Sequence, residues 1–343
     1  AVFLAMAADR FGRRSLLLIT IVGYTSFTAA TALAPNTEAF VVFQMLARGF
    51  GTAELLIAAV VIAEEFAPEN RGWGIGAMGA VAACGAGFAS IMFGFVESVP
   101  YGWRSLYAIG VIPLLFIAYW RRVLPETQKF ESVVQIREPV MKNVGDLFTR
   151  MPKRTIAFFV AVFGLILCSR SATFFAPKYL QDVQGWEPSS VALLSFAGGA
   201  LAIVGNPLAG WLSDRFGRRP MTTLFTAMLP LAAFAFYSMT GVIAPILWMG
   251  LIFFHSGSEV VSTSYGTELF PTRYRSTATG FRAIVGTAAG IIGLSMVSLL
   301  YPIFGSNWTS ITVLCAISLV APLMVWFFLP ETAGRRLEEI APD

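Results

Sequence analysis

Six ionisable side chains lie deep inside apolar stretches of this 343-residue chain: Arg48, Glu54, Arg170, His255, Glu259 and Arg282. An ionisable group at mid-bilayer costs at least about 2.5 kcal/mol, so it faces a partner or a watery cavity and marks a functional path. Imidazole titrates nearest neutral pH, which makes the sole histidine, His255, a candidate proton carrier. Glu259 follows four residues later and shares a helix face with it. With Glu54, which stands 205 residues before Glu259, these are the proton-coupling candidates. The alternative for His255 is a neutral ring hydrogen-bonded within the bundle. Arg170, flanked by Ser169, Ser171 and Thr173, offers a bidentate fork for a substrate carboxylate, or equally an anchor of outer-leaflet polarity. Arg48, in LARGFG, is a second binding candidate or a buried structural ion. Arg48 and Glu54 are six residues apart, about 240° around a helix, and are not expected to pair.

The elements that carry these groups follow from composition. Hydrophobic residues make up 56% of the chain and charged residues 13%, against about a quarter charged in soluble domains. The apolar content falls in ten blocks, 15–34, 38–63, 73–96, 103–124, 155–176, 189–212, 220–240, 243–267, 277–300 and 308–329, after an opening AVFLAMAA that reads as the tail of another. Each has the roughly 20-residue length of a membrane-spanning helix, and backbone in lipid must pair within its own segment. Cys84, Cys168 and Cys315 each stand alone in an apolar block with no metal or disulfide spacing and read as packing residues. The net charge of +4 is distributed by side rather than by patch. If the two DRFGRR connectors (9–14 and 214–219) face the cytoplasm, that side holds 19 of the 24 Lys and Arg. This is the positive-inside pattern of a multi-pass protein of the cytoplasmic membrane. No basic face with interleaved aromatics argues for nucleic acid.

The hexapeptide is part of a longer repeat. Asp9 and Asp214, Trp103 and Trp308, and the Pro-Glu-Thr triplets at 125–127 and 330–332 are each 205 apart, and Glu65 and Glu268 are 203 apart. Repeats of several helices mark secondary transporters with a site between the halves. The helix starting near 155 has no counterpart, which predicts roughly 50 residues upstream, one helix and most of the next. The expected organisation is an incomplete N-terminal helical bundle (1–127), a cytoplasmic linker with a short amphipathic helix (128–153), a C-terminal six-helix bundle (154–332) and a cytoplasmic tail (333–343).

The paired DRFGRR, the Glu-x-x-Pro followed by Arg71 or Arg275, and the PET closures resemble the major facilitator superfamily over the whole chain. The resemblance implies an all-α integral membrane fold of two pseudo-repeated six-helix halves. It also implies that the acid of each connector bonds the start of a neighbouring helix of its own half as a latch. The tail PETAGRRLEEI is similar to sugar porters and organic-ion carriers, but LILCSRSATFF and FFHSGSE replace the sugar porters' signatures in the seventh and tenth helices.

Gating is therefore expected from Asp9, Arg10, Gly12, Arg13 and Arg14, from Asp214, Arg215, Gly217, Arg218 and Arg219, and from the Glu64/Glu65–Arg71 and Glu268–Arg275 pairs. Gly12 and Gly217 permit a positive φ in the tight turn. The bland reading of the connectors is a topology anchor, and of the pairs, solvated interfacial charge. In GWGIGAMGAVAACGAGF, Gly72, Gly76 and Ala80, with Gly79 and Ala83, form small faces for close helix packing. The composite expectation is a secondary active transporter of a small organic metabolite, an organic anion ahead of a sugar, proton-coupled and monomeric. Its partners are the substrate, protons and the lipid bilayer. A sugar carrier, an uncoupled facilitator, and a transporter-like sensor or non-functional fragment are the competing readings. No nucleophile–base pair, zinc spacing or phosphate loop occurs, so no enzyme activity, metal or cofactor is expected.

Overall fold

The computed structural model describes residues 2–94, 98–121 and 140–340, with several side chains within them, those of Ala5, Asp9 and Arg10 included, outside that description. Residues 122–139, which carry the first PET triplet and the first twelve residues of the expected linker, also lie outside it. The first half comprises α1 (Val2–Phe11), α2 (Arg13–Ala32), α3 (Thr37–Glu65), α4 (Arg71–Gly94) and α5 (Trp103–Arg121). A short α6 (Val140–Arg150) precedes α7 (Pro152–Asp182), α8 (Pro188–Phe216), α9 (Arg218–Ser238) and α10 (Ala244–Glu268). After a 3-10 turn at Thr272–Tyr274 come α11 (Arg275–Phe304), α12 (Asn307–Ile317), α13 (Val320–Phe328) and α14 (Leu337–Ile340). Ten spans among the described residues are long and apolar enough to cross a membrane. At 1.5 Å per residue the 31 residues of α7 run about 46 Å, well beyond a hydrocarbon layer of about 30 Å.

Local chemistry sets the ends. Gly12 (φ 92°) and Gly217 (φ 104°) turn the chain at the two connectors, in a region closed to residues with a Cβ. Asn36 Oδ1 accepts from Ala39 N at the start of α3, and Ser306 Oγ caps α12. One expected span is not a single helix: 308–329 breaks at Ser318–Leu319. Pro322 has no N–H for the Ser318 carbonyl and its ring crowds that position, so the ladder parts one turn before the proline.

The 205-residue repeat is visible in the helices, since α2 and α9, α3 and α10, and α4 and α11 begin 205, 207 and 204 residues apart. The first half meets the second along two matching seams, α4 against α8 and α1 against α11. The core of the second half is the larger, and it buries Phe158, Phe159 and Phe270 near the connector end and Tyr179 and Tyr237 near the far end. These aromatics are core residues and not lipid-facing ones. Two cysteines read as isolated also meet, with Cys168 Sγ 3.1 Å from Cys315 Sγ in the buried α7–α12 contact.

The α4–α8 seam depends on missing side chains. A Cβ on Gly210 would stand 2.0 Å from the Gly72 carbonyl oxygen, and one on Gly76 2.3 Å from that of Asn206. A Gly210→Ala change forces two backbones apart, and overpacking of this kind costs about 1–3 kcal/mol. The expected outcome is a seam that opens more readily, read as faster solvent labelling of a cysteine placed in α4. Unchanged labelling would contradict the close contact.

Candidate functional site

Charges gather where the seams meet the connectors. Gly72 and Trp73 stand in the first turn of α4, where backbone N–H groups have no partner within the helix. Asp214, at the end of α8, accepts from both: Gly72 N to Oδ1 at 2.9 Å and Trp73 N to Oδ2 at 2.7 Å. A carboxylate facing a helix N-terminus is also favoured by the dipole. The bond therefore crosses between halves and does not stay within one, as the resemblance implied. The shared Cβ-free contact of Gly72 and Gly210 is what lets the carboxylate approach.

Arg218 organises the second half of this cluster. It is fully buried, donates through Nε and Nη2 to Glu268 at 2.9–3.1 Å, and lies 2.6 Å from Asp214. Thr332 Oγ1 donates to Glu268 Oε2 at 2.6 Å. Glu331 Oε1 and Oε2 accept from Arg218 N at 2.8 Å and Arg219 N at 3.1 Å, so the second PET triplet caps α9. Neither residue was marked as functional from sequence, although the PET spacing matched the connectors' and was the available signal. A similar pairing recurs in the first half, where Arg13, 205 residues before Arg218, places Nη2 3.0 Å from Glu64 Oε1. There Arg275 comes from the other half, 2.8 Å from the same oxygen, and Arg13 Nη2 also donates to the Thr272 carbonyl at 3.1 Å. The expected Glu268–Arg275 pair is thus replaced: Glu268 takes Arg218, and Arg275 crosses to Glu64.

The remaining charged residues of this end flank the cluster. Glu64 is buried in the cluster while Glu65 and Arg14 are exposed. Arg71 is buried and donates to the Arg335 carbonyl at 3.3 Å. Arg215 stacks over Trp211 at 5.2 Å and Arg219 over Trp326 at 4.8 Å. The side chains of Asp9 and Arg10 lie outside the described residues.

The intramembrane groups are arranged as separate pairs. His255 Nδ1 is hydrogen-bonded to Ser169 Oγ of α7 at 2.8 Å. Glu259, one turn along the same face, instead accepts from Arg282 Nη2 of α11 at 3.0 Å. His255 remains within electrostatic reach of both Glu259 and Arg170. In the first half Glu54 pairs with Arg121 of α5 at 2.6 Å. Ser256 Oγ donates to Asn206 Oδ1, tying α10 to α8 beside the α4 seam.

Two arginines are left. Arg48 and Arg170 are exposed, and neither has a hydrogen bond or ion pair among the described residues. Arg170 runs over Gly290 of α11, where a Cβ would stand 3.3 Å from its Cγ. Arg48 lies 17 residues from the end of α3 and Arg170 18 from the start of α7, so both stand about 26 Å from the connector end. By the same measure His255 stands about 20 Å, Glu259 about 13 Å and Arg282 about 10 Å from that end. Ionisable groups thus descend in steps from two open guanidiniums to the closed charge cluster.

A family model described as Major Facilitator Superfamily matches residues 1–293. The chain belongs to that superfamily. It is a multi-pass membrane transporter. The niacin transporter NiaP of Acinetobacter baylyi is 25% identical over 387 residues, spanning 99% of this chain and 84% of that protein. The gentisate transporter of Corynebacterium glutamicum is 25% identical over 309 residues, spanning 88% of this chain and 69% of its own length. The solved proton:xylose symporter XylE superposes with a TM-score of 0.78 at 19% identity, over 99% of this chain and 86% of that one, a likeness of fold.

Proposed function

We propose that this superfamily member is a proton-coupled carrier of a small organic carboxylate, working by alternating access in the cytoplasmic membrane. The observation that carries the reading is the pair of open guanidiniums, Arg48 and Arg170, one in each half and at one level. An arginine inside a span needs an anion or water, and a carboxylate satisfies its fork with two parallel bonds. Niacin and gentisate, the named cargoes of two relatives, are both ring carboxylic acids.

Residues 1–127 and 154–332 act as the two rocking halves, and a single chain suffices. The connectors, linker and tail face the cytoplasm, where Lys and Arg concentrate. The Asp214 latch and the Arg275–Glu64 bridge then hold the cytoplasmic side shut, and their loss accompanies inward opening. Such a change requires contacts that exist in one state and not the other, which bonds between halves supply. His255, Glu259 and Glu54 are the groups that take up the proton.

The test is uptake of radiolabelled nicotinate and gentisate by purified protein in proteoliposomes, with and without an inward proton gradient. Arg170→Gln is expected to raise KM for a carboxylate about 10–100-fold, the worth of one charged hydrogen-bonded contact. Normal carboxylate uptake by that variant would exclude Arg170 as the receiving group. Equal uptake with and without the proton gradient would favour an uncoupled facilitator.

A further inference from the structure

We infer that Arg282 is the coupling residue of the carrier. Glu259 and the substrate carboxylate compete for its guanidinium, and the protonation of Glu259 decides which one holds it. This rests on the carboxylate reading above and adds a residue and a mechanism to it.

The pair is built differently from those around it. The arginines and glutamates at the connector end, Arg13–Glu64 and Arg218–Glu268, are sealed at 0–1% side-chain exposure. Glu259 is 33% and Arg282 12% exposed, so both proton and anion reach them. The contact joins α10 to α11 through a single 3.0 Å bond from Nη2, which leaves terminal N–H groups for a second carboxylate, while Nε is buried without a partner among the described residues. Glu54–Arg121 is partly exposed too, but it lies wholly within the first half.

The surroundings favour exchange. On α10 the titratable neighbour is His255, fixed by Ser169 of α7 and within reach of Arg170. Of the other helices against α10, α3 brings Glu54, already paired, and Arg48, which has no ion pair among the described residues. The charged residues of α4, α8 and α9 lie only at their connector ends: Arg71, Asp214, Arg215, Arg218 and Arg219. Arg282 therefore has Glu259 as its acid at this depth, and a neutral Glu259 leaves a cation below the Arg48–Arg170 level.

In one cycle a proton from the far side binds a Glu259 carboxylate oxygen and the Glu259–Arg282 bond breaks. The substrate carboxylate, received at Arg170, passes to Arg282 as the connector end opens. It then leaves, Glu259 gives its proton to the near side, and the pair closes again. One proton and one carboxylate charge cross together, so transport of a monocarboxylate is electroneutral.

The experiment uses the full chain in proteoliposomes with nicotinate as the probe. Wild-type exchange is expected to accelerate as pH falls, and accumulation to be indifferent to a potassium–valinomycin potential. Glu259→Gln should flatten the pH profile and lower proton-driven accumulation at least tenfold. Arg282→Gln should raise the half-saturation concentration from the connector side about tenfold, with partial rescue in Arg282→Lys. The double variant Glu259→Gln/Arg282→Gln removes both charges and leaves no orphan. If it accumulates nicotinate like wild type, the pair is structural and the inference is overturned. Strong dependence on membrane potential would overturn it as well. A wild-type protein that moves nicotinate with protons, beside indifferent variants, sinks this inference alone. A wild type that moves no carboxylate sinks the substrate reading and this with it.

Discussion

An Arg218→Ala protein is expected to melt roughly 5–15 °C below wild type in detergent, from a loss of about 3–5 kcal/mol. Arg218 is fully buried, and its guanidinium satisfies Glu268, Asp214 and Ser213 together. Removing it takes the cation from Glu268, with 1% side-chain exposure, and from Asp214, with 4%, which keep the neutral donors Thr332 Oγ1 and the first N–H groups of α4. A buried charge left alone costs more than the pair ever contributed, which is why deletion outweighs replacement by a well-packed apolar pair. Lysine keeps the charge and loses the fork, so Arg218→Lys should fall between the two. Thermal unfolding followed by size-exclusion fluorescence reads the difference, and a wild-type melting point for the alanine variant would show that the cluster is not the stabilising core of this end.

Asp214→Ala should act on conformation more than on stability. It removes both bonds to the start of α4 yet leaves Arg218 with Glu268. Hydrogen bonds to a charged group are worth about 1.5–3 kcal/mol each, so the closed seam should lose at least tenfold in population. A cysteine placed at Thr263 reports this, since it continues the His255–Glu259 face toward the connector end. An impermeant maleimide added on that side should label it at least ten times faster in the variant. Equal rates would mean that Asp214 only shapes the turn.

Much of the architecture was legible because its causes are local. Apolar blocks of the right length become spans, and Gly12 and Gly217 adopt the backbone angles the connector needs. The break before Pro322 was legible in principle, but Pro113, Pro177, Pro207, Pro230 and Pro302 sit inside unbroken helices, so a proline alone does not decide. The partners of the site residues were less legible. His255 and Glu259 share a face as their spacing requires, but that spacing says nothing of Ser169 or Arg282 on other helices. Asp214 was visible as an acid in a basic loop, whereas its partner lies 142 residues away across the seam. Long-range pairing depends on how the halves meet, and no periodicity encodes that.

The second PET triplet ties the end of α13 to the connector between α8 and α9. Glu331 grips the first turn of α9, Thr332 holds Glu268, and Arg219 lies on Trp326 of α13. Any shift of the connector must therefore pull on α13, which meets α12 at a proline break and not as one rigid rod. The α12–α13 pair and the buried connector cluster therefore share one chain of contacts, and a disturbance at α13 has a short route to Arg218 and Glu268.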